Sequence, residues 1–532
     1  MSAEEHAAAE LAAPLDRARR LRALFFAALL ALLGAGLPQL LLGRFDLNLA
    51  DEGFLWYGVE RVLGGEVPLR DFQAYDPGRY YWCAAWTPLV GSGVLGVRVA
   101  TAIFGALGLF FGVLACRRIA RSPLALVFAA AVLAAWLFPR HKLYEPALAL
   151  VVVYAAVRLV ERPTVRAHLA VGALTGFLAW FGRNHALYAG VSFVGLGLLL
   201  AWKLRPARAW RLAGGFAAGV ALGSAPLWGM CLFVPGFGAA LVESFRLNLH
   251  HGANLELAYP WPWRVAWGKL HGLAGLATAA LAVAFVLPFV VLPLGLVAAL
   301  RCPREELVRR AAALAATFVG ATYVHHVAVR SAVAHLAQCI HPLLVLVLAL
   351  PMCFRWSART VPRVAVWSAL GALTFFATLQ ANPVLSQLGP DAQHDLVARD
   401  VRGEELHIAP DLAGYLDALE TVVAERVPAG DTLFIAPTTP GLYPVLAKPS
   451  PTWWIYFFWP AEEEQQRKTI DELERRRVGW ALVFTDSKLD GRADLLFENS
   501  NPLVWQYLQR AFEPVFEPRL PPNNLLLRRR KE

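Results

Sequence analysis

The chain has 532 residues, of which 57% are hydrophobic and 17% charged, and its mean hydropathy is +0.46. That is too apolar for a soluble protein of this length, so most of it is expected in lipid. The net charge of +10 points to no nucleic-acid partner, because the Arg and Lys residues sit in short clusters between apolar stretches, as cytoplasmic loops require.

Polar Ser2 to Glu10 and basic Arg17 to Arg22 precede an apolar stretch, Leu24 to Leu42, that lacks a small-residue cleavage site at its end and reads as an uncleaved first helix. Stretches close to the ~20 residues that cross a bilayer then recur to about Gln380. Alternate loops should be basic, and one set is: Arg17, Arg19, Arg20 and Arg22; Arg117, Arg118 and Arg121; Arg158, Arg162 and Arg166. It continues with Lys203, Arg205, Arg208 and Arg211; Arg301, Arg304, Arg309 and Arg310; Arg355, Arg359 and Arg363. These loops are expected in the cytoplasm. Asp46 to Tyr81, Arg140 to Glu145, Arg183 to His185, Glu243 to Lys269, His325 to His335 and everything after Gln380 are expected to face outward. The reading is a polytopic α-helical membrane protein of about eleven helices, the third and fourth short, with the N-terminus cytoplasmic and the C-terminus periplasmic.

Two regions follow: a membrane domain over 1–381, with its first outward loop at 44–84, and a soluble periplasmic domain over 382–532. Cys83, Cys116, Cys231, Cys302, Cys339 and Cys353 are scattered without metal-ligand spacing and read as packing residues. No repeat of 20–50 residues is found, nor paired Gly/Pro-broken segments of the kind that mark inverted-repeat transporters. In the tail, Asp431 to Ala436 and Trp480 to Thr485 read as buried strands with an amphipathic helix, Glu462 to Arg477, between them. A helix over Pro502 to Phe512 and a last strand near Leu525 to Leu527 complete a small α/β domain. The aromatic run Trp453 to Trp459 is expected to seat this domain at the lipid interface; the alternative is an acceptor groove that stacks on sugar rings.

The first outward loop is dense in acids and aromatics: DLNLADEGFLWYGVERVLGGEVPLRDFQAYDPGRYYW, from Asp46 to Trp82. Asp51 and Glu52 sit where the chain leaves the membrane. A carboxylate there can take a proton from an acceptor within ~3 Å, or Asp51 can simply cap the helix that follows, and spacing alone favours the cap. The stretch DEGFLWYGVERVLGGEVPLRDF with YDPGRYYW resembles the first periplasmic loop of bacterial integral-membrane glycosyltransferases of the GT-C class, relatives of protein O-mannosyltransferases and of the aminoarabinose and galacturonic acid transferases. APTTPGLYPVLAKPSPT, from Ala436 to Thr452, resembles a segment of that family's periplasmic domain.

The resemblance implies a bacterial inner-membrane enzyme that passes a sugar from a polyprenyl-phosphate donor to a periplasmic glycan, lipid or protein, with inversion. It makes Asp51, beside Glu52, the expected base; Tyr75, Asp76, Pro77 stand where the family often has Tyr-Pro-Pro, so Asp76 is the runner-up. The phosphate leaving group needs positive partners, and Arg140, Lys142, Arg183, Arg330 and His335 are the outward-facing candidates. His335 has added support from a His-Leu element in related enzymes. His250 with His251 and His325 with His326 are adjacent pairs that point about 100° apart on a helix and are not expected to share a metal. Asp51 with Glu52 could hold a divalent cation, but Arg and Lys alone can neutralise a monophosphate, so no metal is expected to be required. The rival reading is a transporter or flippase of a lipid-linked precursor.

Overall fold

The structure, a computed structural model, describes residues 18, 20–120, 122–251, 255–354, 360–388 and 395–530. Ser2 to Glu10, Arg17, Arg19, Arg121, Arg355 and Arg359 lie outside the described residues. Among the described residues six helices are long and apolar enough to cross a membrane: Arg20–Leu42, Val94–Cys116, Arg183–Leu204, Gly272–Leu300, Ala311–Val329 and Val361–Thr378. Two bent pairs raise the count to eight, Ala209–Gly223 with Ala225–Phe233 and Val333–Cys339 with His341–Cys353, both broken just before a proline, Pro226 and Pro342. The sequence reading of about eleven is therefore not reached by length and composition. Part of the difference lies in Pro123–Ala135 and Val165–Phe181, which are apolar but short.

Leu40, Leu222, Leu232 and Phe233 are 65–84% exposed on the outer helix faces. So much exposed aliphatic surface is stable only against lipid tails. Inside the bundle, Val165–Phe181 packs on Ala209–Gly223 through Gly172 and Gly176 facing Gly219 and Gly223, so closely that any Cβ would overlap the opposite backbone. With no water to drive helices together, this close backbone approach supplies the contact energy.

Between the first two long spans lie helix α1 (Asp51–Leu63) and helix α2 (Pro77–Val90). The C-terminal part forms an antiparallel pair, β1 (Val397–Val401) and β2 (Glu404–Ile408), and a four-stranded sheet of β3 (Leu433–Ala436), β4 (Trp480–Phe484), β5 (Phe512–Val515) and β6 (Asn524–Arg529) in the order β3-β4-β6-β5. β3 and β4 are parallel, which requires a crossover, and the helix Glu463–Arg475 lies between them in sequence. The hydrophobic runs expected as strands are the buried parallel strands β3 and β4; β1, β2 and β5 are half exposed and carry little pattern.

This domain is seated on the first loop. Gly441 N donates to Leu49 O at 2.8 Å, His407 N to Arg44 O at 2.7 Å, and Ser450 N to the Tyr57 hydroxyl at 2.6 Å. Gly53 of α1 lies so near Gly441 that a Cβ on it would overlap the Gly441 backbone. The aromatic run takes neither role expected of it at its centre. Ile455, Tyr456 and Phe457 are buried, and Gln73 clamps this segment, its Oε1 accepting from Tyr456 N at 2.9 Å and its Nε2 donating to Tyr456 O at 3.0 Å.

Candidate active site

The α1 N-terminus is capped, but not by Asp51. Asn48 Oδ1 accepts from Ala50 N at 2.9 Å and from Asp51 N at 3.0 Å, which satisfies orphan amides of the first turn. The Asp51 carboxylate is left projecting from the helix end with 44% of its side chain exposed. Tyr456 Oη donates to its Oδ1 at a weak 3.4 Å, and His141 Nε2 lies 3.8 Å from its Oδ2. Burial resists ionisation of Asp51, yet the Lys142 ammonium, the neighbouring His141 and His335 rings and the Tyr456 hydroxyl together outweigh it and hold the carboxyl below its ordinary range.

Glu52 is differently placed, with only 1% of its side chain exposed. Arg98 grips both oxygens, Nε to Oε1 at 2.8 Å and Nη2 to Oε2 at 2.6 Å, and Arg140 Nε adds a bond to Oε1 at 2.9 Å. Burial opposes its charge, but the two guanidiniums bring the carboxyl down to about 2. A carboxylate so held is a weak proton acceptor. Asp76 is also paired, its Oδ1 2.6 Å from Arg183 Nε and its Oδ2 accepting from Arg183 N at 3.0 Å.

The five basic candidates divide on their partners. Arg140 is engaged by Glu52 and by Phe45 O at 2.8 Å, Arg183 by Asp76, and Arg330 by a two-bond pair to Asp490 at 2.6 and 2.8 Å. Lys142 makes no salt bridge among the described residues; its Nζ donates to the Tyr75 hydroxyl and lies 3.9 Å from that ring's centroid. Burial pulls its ammonium below the ordinary value, while Asp51 and Glu145 push back. His335 stacks near His326, ring centroids 5.3 Å apart. The structure thus gathers Asp51, Lys142 and His335 around one electrostatic centre, and ties Glu52, Asp76, Arg140, Arg183 and Arg330 into ion pairs around it.

Sequence reasoning counted His141 among the outward-facing basic residues but gave no role to several neighbours of this centre. Arg98, 1% exposed near the start of a membrane span, carried a readable signal: an Arg there needs a carboxylate partner. Arg79 pairs with Glu145 at 2.6 Å, both 6% exposed. His141, which burial pushes down to about 4 and Asp51 only partly restores, faces Asp51 as a neutral ring at pH 7. Tyr456 reaches Asp51 across 405 residues, for which nothing local in the sequence is a sign. Among the described residues no group of three or more His, Cys, Asp or Glu side chains is placed to hold a metal. The Asp51 and Glu52 pair is a poor cation site, because Glu52 is occupied by guanidiniums.

No family model and no curated protein matches the sequence. Solved structures do resemble the fold. ArnT from Cupriavidus metallidurans, in a structure bound to undecaprenyl phosphate, superposes with a TM-score of 0.52 at 16% identity over 94% of this chain and 97% of that one. Looser likenesses are its apo state, with a TM-score of 0.49 at 14% identity over 98% of both chains, and the oligosaccharyltransferase AglB from Archaeoglobus fulgidus in complex with an inhibitory peptide and a dolichol-phosphate. AglB has a TM-score of 0.46 at 13% identity, over 96% of this chain and 76% of that one.

Proposed function

We propose that this chain, a polytopic membrane protein with the GT-C fold, is a glycosyltransferase that moves a sugar from a polyprenyl-phosphate donor to an acceptor on the periplasmic side. The observation that carries the reading is the contrast among its acids. Of the three carboxylates singled out in the first loop, only Asp51 is partly exposed and makes no ion pair with a guanidinium among the described residues, and it faces Lys142, whose ammonium makes no salt bridge among them.

In this reading Asp51 accepts the proton of the acceptor hydroxyl or amine while that atom attacks the anomeric carbon, inverting it. The bond to the donor phosphate oxygen breaks, and Lys142 with His335 meets the charge that grows on the phosphate. Glu52, Arg98 and Arg140 form a rigid brace that fixes the start of α1, and so the direction in which Asp51 points. Glu145 Oε2 and His185 Nε2, buried nearby without hydrogen-bond partners among the described residues, are polar positions that sugar hydroxyls can satisfy, donating to the carboxylate oxygen. Residues 1–381 act as the catalytic membrane domain and 382–532 as its periplasmic cover, with the N-terminus cytoplasmic, in a bacterial inner membrane. No metal is required.

The test is sugar transfer from labelled polyprenyl-phosphate donors to envelope acceptors in membranes holding wild type or Asp51→Asn. Transfer that falls by 100-fold or more in the variant supports the proposal, that being the scale general bases supply. Equal transfer moves the base to Asp76 or Glu52, and no transfer with any donor returns the transporter reading.

A further inference from the structure

Between the first loop and the C-terminal domain lies a cleft of about 350 Å³, at the small end of the ~300–1,000 Å³ typical of ligand pockets. Three parts of the chain build its walls: the first loop at Leu69 and Arg70, a helix α3 (Phe237–His251), and the helix α4 (Glu463–Arg475) with Trp453 and Trp454. Its charges balance, with Arg70, Lys468 and Arg475 against Glu243, Asp471 and Glu472. A phosphate-rich ligand would want one sign of charge and a lipid tail would want none. Both tryptophans are half-buried, set edge to face at 4.9 Å. Trp453 is held in place by its backbone N–H on Glu472 Oε2 at 2.9 Å and its indole N–H on Leu69 O at 3.1 Å. Indole faces are electron-rich and suit the polarised C–H face of a pyranose, while mixed acids and bases suit its hydroxyls.

The cleft is also joined to the site. Trp453 and Tyr456 are three residues apart, at most about 10 Å of extended chain, and the Tyr456 hydroxyl contacts Asp51. Ser244 of the cleft wall accepts from Arg183 Nη2 at 2.8 Å, and Arg183 pairs with Asp76. We infer that this cleft is the acceptor subsite and that the acceptor is a neutral glycan, one ring of which lies on Trp454 while a neighbouring ring offers its hydroxyl to Asp51. The inference rests on the glycosyltransferase reading for its role as acceptor site, though not for glycan binding itself.

Fluorescently labelled full-length protein in detergent is applied to an array of neutral oligosaccharides, free and on lipid carriers, as wild type, Trp454→Ala and Trp454→Phe. The expected result is retention of neutral glycans by wild type, a loss of tenfold or more in Trp454→Ala, and substantial recovery in Trp454→Phe, whose ring restores stacking. Retention of free glycans makes the sugar itself the ligand, and retention only of lipid-linked ones makes a glycolipid the source; either supports the subsite. Equal retention by wild type and Trp454→Ala, no retention by wild type, or retention of acidic glycans alone overturns it. A thermal melt of each variant separates loss of the fold from loss of the subsite. Failure of the glycosyltransferase reading shows differently: glycans are retained, but no sugar leaves any polyprenyl-phosphate donor.

Discussion

Asp51 and Glu52 are adjacent in sequence, yet the fold gives them opposite work. Glu52 is sealed between two guanidiniums at 1% exposure, so removing Arg98 strands a buried charge. Arg98→Leu is expected to cost about 3–5 kcal/mol of stability, read as a lower melting temperature and poor yield from membranes. Because the Glu52 carboxyl lies at about 2 in the folded chain against 4.5 ordinarily, its contribution to stability is complete above pH 4.5 and is lost as pH falls towards 2. Acid unfolding followed by circular dichroism checks this, and the Glu52→Gln variant should lose that part of the acid dependence. Asp51 is likewise held below its ordinary value of 3.8, so it stays ionised throughout the range from pH 5 to 8. Transfer rates there should show no acid limb from the base; a limb with a midpoint above pH 5 would assign the proton acceptor to another group.

At the scale of elements, the glycine of Asp51-Glu52-Gly53 has a packing reason. It lets α1 and the segment at Gly441 approach backbone to backbone, and the Asp51 side of the helix is then roofed by Tyr456. Gly53→Val is expected to lift the C-terminal domain from the loop while leaving the membrane helices intact. Limited proteolysis should then cut several-fold faster around 436–460, with helix content unchanged. The close helix pair Val165–Phe181 and Ala209–Gly223 depends on glycine in the same way, and there the surrounding lipid offers no hydrophobic gain to replace a lost contact.

The molecule as a whole is a helical bundle with a C-terminal domain held on it by the first loop and by the ion pair of Arg330 with Asp490. Arg330 was expected from sequence as a phosphate contact; in the structure it pairs with Asp490 and joins the end of a late membrane helix to the C-terminal domain, with both side chains about 15% exposed. Asp490→Ala is therefore expected to speed amide exchange several-fold at 453–459 and 486–492, measured by mass spectrometry, with little change in the membrane spans.

Composition, hydropathy and the period of apolar residues are local properties, and they suffice for the polytopic helical class, the buried strands β3 and β4 and the helix between them. The acid-rich first loop was legible for the same reason, since charge at a membrane boundary is costly and stands out. The division of labour among its acids was not, because it depends on partners far along the chain. Glu52 meets Arg98 across 46 residues, Arg330 meets Asp490 across 160, and Tyr456 meets Asp51 across 405. Which carboxylate is neutralised and which is left able to take a proton is set by those contacts, and only the tertiary structure brings them together.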